Sequence, residues 1–395
     1  MKYLIILCDG MTDYRLKELG NKTILEYATT KNFDYLAKNG QVVEIHTTPV
    51  GMYPGSDICN LSIFGYNPAI YYTGRSPLEA ISIGVNLTDN DTTFRLNIVS
   101  FSENYEKLED FSAYHINDEV AKKIIDELRK TFSTIGVEFY SGLGYRNLMV
   151  IRNKNFNIKT TPPHDIMGQS IQEYLPKGQD APFLIEIMEK SKNIFCTQKY
   201  GKANGIWLWG EGKKPTLPTI KSKYNLNGAV IAAVDLIKGI GMSAGLKLID
   251  VPGITGFIDT NFEGKAQYAV NALDEVDYVY VHIEAPDEAG HMGSIEEKIR
   301  AVENINSRVL PIIVEGMKSF NDYRILITPD HPTPVYLKTH VAKPVPAIIY
   351  GTGVDRDRNI YYNEFSLPCK VFKDGYKIAE YFIKENLQYG KCINK

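Results

Sequence analysis

The chain has 395 residues, 44 Lys and Arg against 47 Asp and Glu, and a formal net charge of −3. That length is enough for a large buried core and two domains, and the near-balanced charge argues against a nucleic-acid or anionic-membrane partner. Five scattered Cys (Cys8, Cys59, Cys196, Cys369 and Cys392) without a CxxC pair fit reduced thiols in a cytoplasmic setting, and no apolar run reaches the length of a membrane span.

The N-terminal run YLIIL is too short for a signal-peptide core with its cleavage site. It reads as a buried first strand ending at Cys8-Asp9-Gly10. A helix is expected from about Ile24 to Lys38, stopped by Asn39-Gly40. QVVEIH reads as a second strand. A loop rich in Pro and Gly then meets a helical apolar pattern that begins at Ser56, and SPLEAISIGV gives another short helix. After Gly84 the pattern changes: TTFRLNIVSF and VEFYSGLGYRNLMVIR alternate like antiparallel strands, with a polar helix, NDEVAKKIIDELRKTF, between them. The stretch from about Lys159 to Lys223 is rich in Pro, Gly and Lys.

A wound pattern then resumes. GAVIAAVDLIKGIGMSAG reads as a helix, LKLIDV as a strand, GKAQYAVNALDEV as a helix and DYVYVHIEA as a strand. SIEEKIRAVENINSRVLPIIVEGM reads as one long helix, and YRILITPD and PVPAIIYG as strands. The predicted fold class is α/β: a doubly wound, mostly parallel sheet built from residues 1–87 and 216–395, with a smaller α+β domain inserted at 88–215.

Asp9, Asp287 and Asp330 each follow the last residues of an apolar strand. In an open parallel sheet the carboxyl ends of the strands share one edge, where ligands bind. Three acids distant in sequence are therefore expected to converge there, with His291 and His331. His340 follows PTPVYLKTH, which has the length of a small hairpin. Any one Asp-x-x-x-His pair is common by chance, but a set in which every acid ends a strand is not. Carboxylates and imidazoles without thiolates suit Mn²⁺ or Zn²⁺. Six such groups are too many for one ion with an open position and suffice for two, the usual device for displacement at phosphorus. His282 lies inside its strand, with period-two neighbours Tyr280 and Glu284, and is expected to pack or to support the ligands.

The segments CDGMTD, PGSDICNLSIFGYNP, YTGRSPLEA, GFIDTNFEGKA, HIEAPDEAGH and PDHPTP with its following His340 resemble the cofactor-independent (2,3-bisphosphoglycerate-independent) phosphoglycerate mutases of the archaeal type, within the alkaline phosphatase superfamily. The resemblance runs over nearly the whole chain and is weakest in the inserted domain. PDHPTP also matches a bacterial branch proposed to be homoserine kinases. The resemblance implies an alkaline phosphatase-like catalytic domain that interconverts 3-phosphoglycerate and 2-phosphoglycerate. It implies one metal held by Asp287, His291 and His340, and another held by Asp9, Asp330, His331 and the hydroxyl of Ser56. Ser56 would be the nucleophile that becomes phosphoserine, although Ser before a helix is more often only a cap. Mn²⁺ is the first expectation, with Zn²⁺, Co²⁺ or Mg²⁺ as alternatives.

The implied partner is a small phosphorylated metabolite, with Asp57, Arg75, His115, Arg146 and Lys265 as substrate contacts. The inserted domain would close over the site and keep water from the phosphoserine. In the family that domain carries an Arg-rich stretch, and here LEDFSAYHIND, without any Arg, stands in its place. Arg is the preferred bidentate partner of carboxylate and phosphate. A homoserine kinase-like phosphotransferase and a metal-dependent phosphatase therefore stand beside the mutase as readings of the same centre.

Overall fold

The N-terminal apolar run forms β1 (Lys2–Cys8), buried from Tyr3 onward. A strand covered on both faces shows no polar alternation, which is why it reads as a continuous apolar run. The computed structural model describes residues 1–384. In it the chain divides into two units, one made of Met1–Tyr72 and the chain from Thr216 onward, the other of Thr73–Pro215.

The first unit begins with β1 and β2 (Gln41–Ile45). The chain then passes through the second unit, which holds β3 (Thr92–Phe101), β4 (Leu108–Asp110), β5 (Val137–Tyr140), β6 (Arg146–Ile151) and β7 (Gly205–Lys213). It returns with β8 (Gly228–Ile231), β9 (Lys247–Leu248), β10 (Tyr278–Ile283), β11 (Tyr323–Thr328), β12 (Val345–Gly351) and β13 (Lys370–Phe372). The eight strands of the first unit form one sheet in the order β13-β2-β12-β11-β1-β10-β8-β9. β1 runs parallel to both neighbours, β10 and β11, and β8 and β9 continue the parallel run; β12 is antiparallel to β11 and β2. Leu7 stands beside His282 on one side and Thr328 on the other, so the three central strands end at the same level. That shared level brings the residues after β1, β10 and β11 to one edge.

One face of the sheet buries Leu4 and Ile6 with Leu36, Ala266 and Ile313 from the helices Lys31–Asn39, Phe262–Ala272 and Leu310–Met317. The last of these continues the helix Ile295–Asn304 through a wider turn at Ile305–Val309. Pro311 explains the widening: it has no N–H to donate and its ring crowds the preceding turn.

Several elements differ from the expectations. GAVIAAVDLIKGIGMSAG is not one helix: GAVI is β8, and the helix starts at Asp235. A short buried apolar run fits either element, and pairing with β10 decides. The helix expected from Ile24 is two, Ile24–Tyr27 and Lys31–Asn39, because the chain turns extended at Ala28. The excursion before His340 is a turn in which Leu337 and Lys338 both donate to the carbonyl of Pro334, and no hairpin forms there. β13 and the helix Lys377–Lys384 were not anticipated.

In the second unit every strand pairing is antiparallel, with β3 at the centre of β4-β3-β6-β5 and β7 also paired to β3. The helices Asp118–Thr131 and Ala181–Thr197 pack Ile124, Leu128, Leu184 and Ile187 onto Phe94 and Trp207. The second of these helices, and β7, lie in the stretch whose composition had shown only Pro, Gly and Lys. The unit begins at Thr73, earlier than the expected residue 88. The helix Ser76–Ser82 belongs to it because Ala80, with Val85 and Leu87, packs on Leu148 and Val150 of β6. Among the described residues no helix is long and apolar enough to cross a membrane. Cys8 and Cys59 are buried free thiols and Cys196 is exposed, while Cys392 lies outside the described residues.

Candidate active site

Asp9 and Gly10 follow β1. Gly10 has φ +61°, and a Cβ there would come 2.5 Å from Asp287 Oδ1 and 2.6 Å from Thr333 Oγ1, so only Gly lets these loops approach. Its N–H donates to Asp330 Oδ1 at 3.1 Å. Asp330, just past β11, is wholly buried and also accepts from the His331 N–H and from Asn60 Nδ2. Asn60 lies on the helix Ser56–Ile63 and accepts from the Tyr280 hydroxyl of β10, so helix and sheet are locked together under the acids. His331 Nε2 stands 3.3 Å from Asp330 Oδ2, 3.6 Å from Asp9 Oδ1 and 3.2 Å from Ser56 Oγ. Gly55 is the cap of that helix and no side chain caps it. The Ser56 hydroxyl at its first position is therefore not spent on capping.

Beside this group lies a second. Asp287 and His291, one turn apart on the helix Ala285–Met292, meet at 3.2 Å, and His340 Nε2 is 3.5 Å from Asp287 Oδ1. His291 Nδ1 is 3.0 Å from the Lys338 carbonyl; donation there leaves Nε2, 2.9 Å from His340 Nε2, unprotonated and able to ligate a cation. His340 stacks on His331 with ring centroids 3.9 Å apart. Ligand atoms of Asp287, His291 and His340 lie within 4.8 Å of one another, as do those of Asp9, Asp287 and His331, and those of Asp9, His282 and Asp330.

The electrostatics suit a site that could hold cations. Burial, then the charges of Asp330 and Asp287, push the Asp9 carboxyl well above the usual carboxylate range. Burial also opposes ionisation of Asp287, but the imidazoles of His291 and His340 hold it well below that range. Burial pushes His331 down to about 4. Asp9 Oδ1 and His340 Nδ1 are buried without a hydrogen-bond partner among the described residues. Acids that repel each other, a buried carboxylate oxygen with no donor and an all-nitrogen-and-oxygen donor set fit divalent ions.

The remaining expected residues separate. Asp57 uses its carboxylate to accept from the Ile58 N–H and, at 2.5 Å, from the Tyr72 hydroxyl. Lys265, expected as an anion contact, is wholly buried, bonded to Glu284 Oε2 at 2.6 Å and to the His282 carbonyl at 2.8 Å. Its charge is committed inside the protein, because an ammonium at that depth needs a carboxylate partner. Arg75, His115 and Arg146 lie in the second unit. There Arg75 pairs with Glu79 at 2.8 Å, Arg146 lies over the Tyr145 ring at 4.6 Å, and the His115 ring is 6.5 Å from the same Tyr145.

Comparison with known proteins places the chain. The family model "2,3-bisphosphoglycerate-independent phosphoglycerate mutase" matches residues 37–200. A Geobacter sulfurreducens protein named "Probable 2,3-bisphosphoglycerate-independent phosphoglycerate mutase" is 46% identical over 96% of this chain and 99% of its own. The Methanothermobacter thermautotrophicus protein "2,3-bisphosphoglycerate-independent phosphoglycerate mutase 2" is 46% identical over 93% of each. The chain belongs to this mutase family. A solved structure from Pyrococcus horikoshii superposes with a TM-score of 0.81 at 25% identity, covering 98% of this chain and 99% of that one.

Two side chains not anticipated from the sequence, Arg95 and His164, also lie in the second unit. Arg95, from the middle of β3, pairs with Glu79 Oε2 at 2.9 Å and lies over the Trp209 ring at 4.4 Å. His164 packs its ring 5.3 Å from the same Trp209. Three guanidinium groups, Arg75, Arg95 and Arg146, thus act on the single carboxylate of Glu79 and keep it low despite burial. The signal for Arg95 was present: a lone Arg inside the apolar run TTFRLNIVSF has to find a partner.

Proposed function

We propose that this chain interconverts 3-phosphoglycerate and 2-phosphoglycerate without 2,3-bisphosphoglycerate, through a phosphoserine at Ser56. The observation that carries the reading is the Ser56 hydroxyl at a helix N-terminus, which caps nothing and stands 3.2 Å from His331 Nε2 beside a double group of acids and imidazoles. Relatives bearing the mutase name over almost the full chain support the substrate. Asp287, His291 and His340 would hold one divalent ion, and Asp9, Asp330, His331 and Ser56 another. Bound there, such ions, Mn²⁺ by preference, neutralise phosphoryl oxygens and lower the pKa of a coordinated hydroxyl.

The chain's own residues do the rest. Ser56 Oγ forms a bond to phosphorus as the bond from phosphorus to the glycerate oxygen breaks, and that oxygen takes up the proton equivalent Ser56 gives up. The helix N-terminus at Ser56 favours the phosphoryl charge. The glycerate turns, its other hydroxyl takes the phosphoryl group back, and Ser56 is restored. The second unit carries the guanidinium groups of Arg75, Arg95 and Arg146 and the imidazoles of His115 and His164, group types suited to the carboxylate and phosphate of a phosphoglycerate. They stand in for the Arg-rich stretch that LEDFSAYHIND lacks. His115 closes a turn in which Ala113, Tyr114 and His115 all have φ between 50° and 58°. The turn is held by Asp110 Oδ1, which accepts from Ser112 and Tyr114. A non-Gly residue there costs on the order of 1 kcal/mol or more, so its persistence points to a positioned side chain.

The reading places the reaction in glycolysis and the protein in the cytoplasm. It is tested by a coupled assay for 2-phosphoglycerate from 3-phosphoglycerate with Mn²⁺ and no 2,3-bisphosphoglycerate. A background rate there, with phosphoryl transfer to homoserine or release of free phosphate, would replace the mutase reading.

A further inference from the structure

A line of buried charge runs from the interior to the acids. Lys265 Nζ is 2.6 Å from Glu284 Oε2, Glu284 Oε1 is 3.0 Å from His282 Nδ1, and His282 Nε2 is 3.2 Å from Asp9 Oδ2. Lys265 and His282 are wholly buried, and Glu284 and Asp9 nearly so. The four groups come from three places in the fold: the helix Phe262–Ala272, the end of β10 and the end of β1. Glu284 is anchored further by the Ala233 N–H at 3.0 Å. The His282 nitrogens stand at ion-pair distance without aligned hydrogen bonds.

Core packing alone does not explain this line. Burying four ionisable groups is costly, and an apolar set of similar volume is often as stable or more so. The line also ends asymmetrically. Asp9 Oδ2 faces His282, whereas Asp9 Oδ1 is buried, has no hydrogen-bond partner among the described residues, and lies 3.6 Å from His331 Nε2. One oxygen abuts the His282 imidazole at ion-pair distance, and the other has the more distant His331 Nε2 beside it.

We propose that His282 is a positioning residue: backed by Glu284 and Lys265, it holds one oxygen of Asp9 so that the other is presented to a divalent ion. This deepens the two-ion reading above and rests on it. Groups that orient a metal ligand are typically worth about 10–100-fold in metal affinity. The same line gives Lys265 its task, which is to fix Glu284 behind His282.

The test is calorimetric titration of Mn²⁺ into the chelator-stripped full chain, which reads binding and not turnover. His282→Phe should retain the far-UV circular dichroism of the parent and bind one of two ions about 10–100-fold more weakly, with the other ion unchanged. His282→Gln, which keeps a polar N–H group at that position, should fall between Phe and His. Two ions bound by His282→Phe at parental affinity would overturn the proposal, and so would a Gln variant as impaired as Phe, which would reduce His282 to packing. If the unmodified chain binds only one ion, the two-ion reading itself fails, a result distinct from either of those.

Discussion

The hydroxyl of Ser56 lies 3.2 Å from Nε2 of His331, a residue 275 positions further along the chain. The first comes from a helix start and the second from the loop after β11, and the sheet brings them together. If Ser56 is the nucleophile, Ser56→Ala should lower mutase turnover by on the order of 10⁴-fold or more. It should also abolish phosphate on the peptide containing residue 56 in mass spectra of substrate-treated protein. Because the hydroxyl caps nothing and has a single hydrogen bond among the described residues, to His331 Nε2, stability should fall by no more than about 0.5–1.5 kcal/mol. Full activity in the Ala variant would mean that water or another residue attacks phosphorus.

Elemental analysis of the purified protein should find about two divalent ions per chain. Asp287→Ala and Asp330→Ala should each lose an ion and all turnover. Because the acids repel one another in a buried site, chelation should lower the melting temperature. Metal at about 100 times its Kd should restore roughly 2.7 kcal/mol per site. A melting temperature indifferent to chelator would count against metal binding by these residues.

Arg146 is exposed at the start of β6, so Arg146→Ala should leave the fold intact. A charge-assisted hydrogen bond to substrate is worth about 1.5–3 kcal/mol, so kcat/KM for 3-phosphoglycerate should drop about 10–100-fold. Arg146→Lys should recover only part of the loss. An unchanged kcat/KM would remove Arg146 from the set of anion contacts.

Lys298 is wholly buried and donates to Asp13 Oδ2 and to the carbonyls of Thr12 and Thr333. It ties the loop after β1 to the loop after β11. Lys298→Met would strand the buried Asp13 charge and two carbonyls, at a cost of about 3–5 kcal/mol. Urea denaturation should show the loss as a lower midpoint at unchanged slope.

Burial pushes Glu364 up to about 7, against the opposing bonds from the Thr23 hydroxyl and the Asp13 N–H. A carboxyl whose folded pKa is raised binds more protons folded than unfolded, so its contribution to stability falls as pH rises from its ordinary value of 4.5 to about 7. The loss should be on the order of 1–3 kcal/mol. Glu364→Gln, which cannot ionise, should flatten that part of the stability profile measured by urea denaturation between pH 4.5 and 7.5.

Much of the centre was legible before any coordinates. Asp9, Asp287 and Asp330 each end an apolar run, and parallel strands must finish along one edge, so topology alone gathers them. Depth was not legible. Lys265 lies in GKAQYAVNALDEV, where a Lys at one helical position looks like any solvated charge. Only its contact with Glu284, 19 residues away, shows that it is interior. His282 was read as packed or supporting, but its line to Asp9 depends on the register of β1 against β10.

By itself the sequence determined the α/β class, the presence of an inserted segment, and the convergence of Asp9, Asp287 and Asp330 just beyond three apolar strands. These follow from local periodicity and from rules of strand direction that need no coordinates. Tertiary structure alone decided that GAVI is a strand, that the helix Ser76–Ser82 and Arg75 belong to the second unit, and that Arg95 joins Arg75 and Arg146 around Glu79. Each of these turns on a partner distant in sequence, and hydrogen-bond pairing, apolar packing and charge pairing act through space, where one chain segment holds no record of its neighbour.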